Sequence, residues 1–129
     1  MARILLADDE KDFVDTLAER LELRGFTVRV AYDGVSALRA ATGEKPDVVV
    51  LDMLMPGMSG DETLRRLKDI FPLLPVILLS GHEVVDDNGT GPVSQAFACL
   101  TKPLALDNLL ETLTAAVRES ANAADGEGS

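Results

Sequence analysis

The stretch Val48-Val49-Val50-Leu51-Asp52 constrains this chain more than any other. Four consecutive branched apolar side chains leave no polar face for water, which is the pattern of a strand buried on both sides in the middle of a parallel sheet. The run stops at a carboxylate. Asp52 therefore belongs at the carboxyl end of a central strand, and that edge is where open α/β sheets bind ligands. Met53 to Gly60 must follow as a loop, because Pro56 lacks an amide donor and Gly57 and Gly60 permit backbone geometries that other residues resist. Met53, Met55 and Met58 read as packing within that loop.

The same pattern recurs. Arg3-Ile4-Leu5-Leu6-Ala7 ends in Asp8-Asp9-Glu10, and Pro75-Val76-Ile77-Leu78-Leu79 ends in Ser80-Gly81-His82. Phe26 to Ala31 alternates as an outer strand would, and Phe97 to Leu100 is a weaker strand ending in Thr101-Lys102-Pro103. Between them lie helical spacings. Phe13, Val14, Leu17, Ala18 and Leu21 form one face, closed by Gly25 as a left-handed cap. Asp33 caps a short helix carrying Val35, Ala37, Leu38 and Ala41, which Gly43 and Pro46 end. Ser59-Gly60-Asp61-Glu62 has the form of a capping box, opening a helix with Leu64, Leu67 and Phe71 on one side and Pro72 as its stop. Leu106, Leu109, Leu110, Leu113 and Val117 mark the last helix. Five alternations of strand and helix with right-handed crossovers predict an α/β, doubly wound, five-stranded parallel sheet. Residues 1–119 make one domain, and 120–129, small, polar and without periodicity, read as a disordered tail.

Charge narrows the function. The 129 residues carry 22 acidic and 12 basic side chains, a net −10, which excludes direct nucleic-acid binding, since phosphates demand clustered Lys and Arg. No apolar run approaches the length of a membrane span. The single cysteine, Cys99, reads as a small buried filler and fits a reducing, cytoplasmic setting.

In a parallel sheet the ends of these strands share one edge, so Asp8, Asp9, Asp52, Ser80 and Lys102 converge there. Gathered carboxylates repel one another unless a cation neutralises them. All-oxygen donors with room for water suit magnesium, bound by one or two carboxylates and a substrate phosphate. Lys102 offers a positive charge and Ser80 a hydroxyl to phosphoryl oxygens. Asp52, beside a metal and a lysine, can act as a nucleophile toward phosphorus and form an acyl phosphate.

The pair Asp8-Asp9, the segment Asp52-x-x-Met55-Pro56-x-Met58-x-Gly60, Ser80 after one strand and Lys102-Pro103 after another resemble the receiver domain of two-component response regulators, in order, over residues 3 to 118. That resemblance implies a flavodoxin-like sheet of order 2-1-3-4-5. It implies that Asp52 accepts phosphate from a histidine kinase or phosphotransfer protein. Asp9, Asp52 and the Leu54 carbonyl would hold magnesium, with Asp8 acting through water, while Ser80 and Lys102 bind the phosphoryl group. The downstream partner is not encoded here.

Two positions depart from the family. Cys99 stands where an aromatic switch residue is usual. Residues 83–92 should hold the fourth helix, yet Gly89, Gly91 and Pro92 would cost about 5 kcal/mol in a continuous helix, so a broken or short helix is expected. His82 is expected in a loop beside the site. Competing functions are a receiver that serves as a phosphate-independent interaction module, and a haloacid-dehalogenase-type phosphotransferase. The latter needs a second Asp two residues after its nucleophile, where this chain has Leu54. A phosphorylated signalling domain rather than a turnover enzyme is the leading reading.

Overall fold

The computed structural model describes residues 2–81 and 95–127, with side chains described as far as Ala121. In chain order the elements are β1 (Arg3–Ala7), α1 (Lys11–Leu23), β2 (Thr27–Ala31), α2 (Gly34–Gly43), β3 (Val48–Asp52), α3 (Gly60–Ile70), β4 (Val76–Ser80), β5 (Ala98–Thr101) and α4 (Leu106–Glu127). The strands form one sheet in the order β2-β1-β3-β4-β5, and every neighbouring pair is parallel. This is the flavodoxin-like topology expected. His82 and the segment 83–92 lie outside the described residues.

Each strand divides its side chains between two cores because successive residues point to opposite faces. Ile4, Leu6, Val48, Val50, Ile77 and Leu79 pack with Val14, Leu17 and Leu21 of α1 and Leu109 and Leu113 of α4. Leu5, Val49, Leu51, Val76 and Leu78 pack on the other face with Ala37 and Ala41 of α2 and Leu64 and Leu67 of α3. The layers are therefore α1 with α4, the sheet, and α2 with α3. Met55 is buried in the second core and Met53 packs against it, as the loop reading required.

The helix ends show why the chain turns where it does. Gly25 has a φ of 95°, and its N–H donates to the Glu22 carbonyl while that of Phe26 donates to Leu21, closing α1 in a Schellman motif. Asp33 accepts from the Ser36 N–H at 2.7 Å and caps α2. Half of the expected capping box forms on α3. Ser59 Oγ accepts from the Glu62 N–H at 3.3 Å, but the Glu62 carboxylate pairs along the helix with Arg66 at 3.0 Å and Arg65 at 3.5 Å.

Two expectations need correction. The stretch 120–129 is not a tail throughout, since α4 continues to Glu127. Alanines at 121, 123 and 124 carry high helix propensity, which a sequence without apolar periodicity still retains. Cys99 is exposed rather than buried. It lies on β5, an edge strand in which exposed positions alternate with half-buried ones.

Candidate functional site

Register and alternation together assemble the site. Leu6 pairs with Val50 and Ala7 with Leu51, so the residues that continue these strands, Asp8 and Asp52, come side by side. The Asp8 N–H still donates to the Ala31 carbonyl at 3.1 Å, which carries strand geometry one residue past β1. Asp8 follows Leu6, and Asp52 follows Val50, in the phase that faces α1 and α4. On the far side, Leu100 belongs to the same core, and the Lys102 N–H donates to the Ser80 carbonyl at 2.8 Å, so Lys102 shares that phase. The Lys102–Pro103 peptide bond is cis.

The side chains meet at short range. Lys102 Nζ donates to Asp8 Oδ2 at 2.9 Å and to Glu10 Oε1 at 2.8 Å, and it lies 3.7 Å from Asp52 Oδ2. It also sits over the Phe13 ring, 4.8 Å from the centroid. Asp8 Oδ1 accepts from the Glu10 N–H at 2.9 Å, and Asp52 Oδ1 accepts from the Leu54 N–H at 3.4 Å. One carboxylate oxygen from each of Asp8, Glu10 and Asp52 lies within 4.8 Å of the others. A cavity of about 260 Å³ opens over this group, lined by Asp9, Glu10, Asp52, Leu54, Gly81 and Lys102.

Burial sets the electrostatics. Asp8 is 1% exposed and Asp52 4%, so two carboxylates face each other with little water to screen them. Burial first, and then the charge of Asp8, push the Asp52 carboxyl up from 3.8 to about 6, against the pull of Lys102 and the Leu54 N–H. Burial pulls the Lys102 ammonium down, yet its hydrogen bonds to Glu10 and Asp8 and the charges of Asp52 and Asp8 outweigh burial and hold it above the ordinary lysine value. Among the described residues the site is an acidic group with the Lys102 ammonium set into it.

The residues singled out in the sequence are not all placed alike. Asp8, Asp52 and Lys102 come together. Asp9, one residue out of phase with Asp8, is exposed and forms part of the cavity wall, and Leu54 lines it too. Ser80, at the end of β4, is half-buried and joins the arrangement through its backbone carbonyl, while Gly81 beside it lines the cavity. Glu10 and Phe13 went unassigned in the sequence, the first read as part of an acidic run and the second as core. The i, i+2 spacing of Glu10 from Asp8 was the available signal. Gly60 was missed as a structural requirement of the site. A Cβ there would come within 2.5 Å of the Asp52 carbonyl oxygen and of Met53 Cα.

Three carboxylates with converging oxygens, and no sulfur or imidazole among them, form a hard donor set that fits magnesium.

Comparison with known proteins bears on this arrangement. The response regulator receiver domain matches residues 4–114. The response regulator MprA of Mycobacterium ulcerans is 36% identical over 118 residues, covering 92% of this chain and 51% of that protein, so the chain spans about half the length of the curated relatives it matches. A receiver domain protein of Clostridium thermocellum superposes with a TM-score of 0.85 at 33% identity, over 94% of this chain and 98% of that one. TrrA of Thermotoga maritima, a response regulator solved in complex with Mg(2+)-BeF, superposes with a TM-score of 0.81 at 28% identity, over 90% and 99%. Sheet order, acidic edge and inward-facing lysine thus coincide with a sequence match across most of the chain, and the protein belongs to the response regulator receiver domains of two-component systems.

Proposed function

We propose that this domain accepts a phosphoryl group on Asp52 from the phosphohistidine of a sensor kinase or phosphotransfer protein, with magnesium, and that the modification switches binding of a downstream partner. The observation that carries the reading is the buried Asp52 carboxylate beside Asp8 and Glu10 with Lys102 aimed into the group. It acts as a signalling domain rather than a turnover enzyme, in the cytoplasm where such a kinase presents its phosphohistidine. Among the described residues no helix is long and apolar enough to cross a membrane.

The chemistry follows from the charges. An Asp52 oxygen attacks phosphorus in line, the bond from phosphorus to the imidazole nitrogen breaks, and the imidazole leaves. Even with its pKa raised to about 6 by burial and by Asp8, the Asp52 carboxyl is mostly ionised at neutral pH and able to attack. Asp9, Asp52 and the Leu54 carbonyl would hold magnesium, with Asp8 acting through water, and the ion would supply positive charge to the phosphoryl oxygens when bound. Lys102 neutralises a further oxygen, and the Ser80 hydroxyl is the expected donor to another. Leu54, apolar and 71% exposed, provides no general acid two residues past Asp52, which disfavours a haloacid-dehalogenase-type reaction.

Incubation with acetyl phosphate and magnesium followed by intact mass tests the reading. One added phosphate, absent in Asp52→Asn and absent with a chelator, is the expected result. No adduct under any condition would assign the chain to phosphate-independent interaction, a reading that exposed Cys99 in the aromatic switch position favours. Sustained phosphate release from unrelated esters would assign it to enzymatic turnover.

A further inference from the structure

The N-cap and first turn of α1 hold Lys102 from outside the Asp8–Asp52 pair. Glu10 and Phe13 are three residues apart and so share one side of that turn. Glu10 Oε1 is 2.8 Å from Lys102 Nζ, and the Phe13 ring lies 4.8 Å below it, whereas Asp52 Oδ2 is 3.7 Å away, beyond a good hydrogen bond. The two carboxylates bonded to the amine differ in how firmly they are held. The Asp8 side chain is 2% exposed and also accepts from the Glu10 N–H, so it has nowhere to go. The Glu10 side chain is 62% exposed, and water can replace its partner at little cost.

We infer that Glu10 and Phe13 form a rest clamp for Lys102, competing for its amine with any phosphoryl group on Asp52. Glu10 is then a positioning residue that acts through Lys102. When phosphoryl oxygens arrive, Lys102 leaves Glu10 and the ring face while Asp8 stays in place. The clamp weakens retention of the phosphoryl group by the margin an exposed ion pair allows. This inference rests on the function proposed above.

The test uses the full chain, saturating magnesium and beryllofluoride as the phosphoryl mimic, followed by NMR. At rest the Lys102 ε-methylene resonance lies upfield because of the Phe13 ring, and Phe13→Leu removes that displacement. Adding beryllofluoride to the wild type relaxes the resonance. In Glu10→Gln the displacement is already reduced without the mimic, and beryllofluoride binds about threefold more tightly, the factor that an exposed pair of this kind represents. Asp12→Asn, which removes the same charge from the same helix, leaves binding unchanged. Equal or weaker binding by Glu10→Gln, equal tightening by Asp12→Asn, or an undisturbed resting resonance in Glu10→Gln would each overturn the clamp. If the wild type binds no beryllofluoride, the phosphoacceptor reading falls and the clamp with it. If it binds and only the Glu10→Gln difference is missing, the clamp alone falls.

Discussion

β3 and β5 end at the same edge of one sheet and deliver opposite charges to one site, but they are held there by different forces. β3 lies between two neighbours and all five of its residues are buried, so Asp52 is placed by packing. β5 pairs with β4 and its side chains are alternately half-buried and exposed. Lys102, just beyond it, is placed by one backbone hydrogen bond and its ion pairs with Asp8 and Glu10. A carboxylate fixed by packing thus stands beside a cation tethered by charge. On the function proposed above, Asp52 stays in place while Lys102 exchanges partners.

Matched truncations should separate the two strands most widely. Leu51→Ala, at a fully buried position of β3, is expected to cost roughly 2–5 kcal/mol in urea unfolding, and Leu100→Ala on β5 about 1 kcal/mol. Equal costs would show that β5 is held by packing after all. Gly60→Ala attacks the placement of Asp52 from outside the strand, because the added methyl meets backbone atoms that cannot rotate away. A loss of about 3 kcal/mol, together with reduced acetyl phosphate labelling, is expected.

Electrostatic changes should act through the metal. Lys102→Met leaves the acidic group without its cation, so metal-free protein should lose about 2 kcal/mol, with much of it restored by magnesium. A metal-free variant as stable as the wild type would mean that the tether holds nothing. Asp52→Asn has the opposite sign and the smallest effect. The folded Asp52 carboxyl titrates at about 6 against an ordinary 3.8, so from about pH 4 to pH 6 the folded state keeps a proton that the unfolded chain has released. Wild-type stability contributed by this group therefore falls as pH rises through that window. Metal-free Asp52→Asn should match the wild type below about pH 4 and exceed it above about pH 6, by about 1–2 kcal/mol rather than the roughly 3 kcal/mol of the full shift because water in the open cavity screens the pair, and magnesium should erase the gain. A gain at acid pH instead would show that repulsion is not its cause.

Much of this was legible in the chain because it depends on short-range chemistry. Three apolar runs ending in Asp8, Asp52 and Ser80 declared the strands, and Gly25, Asp33 and Ser59 stand at helix ends for reasons that hold in any short peptide. Exposure of Cys99 was not legible, since a small apolar residue in a weak strand looks alike whether that strand is central or at the edge. The persistence of α4 to Glu127 was obscured by reading polarity as disorder.

What the sequence determined by itself is which residues could meet at one edge: period-two alternation and parallel crossovers bring Asp8, Asp52 and Lys102 to the same ends of the strands of one sheet. Which acid faces which charge was decided only by tertiary structure. Strand register and the entry of α1 turned Asp8 and Glu10 toward Lys102 and left Asp9 on the cavity wall. Neighbouring acids are chemically almost interchangeable along the chain, and a displacement of one residue, invisible in composition, reverses the face to which a side chain is committed.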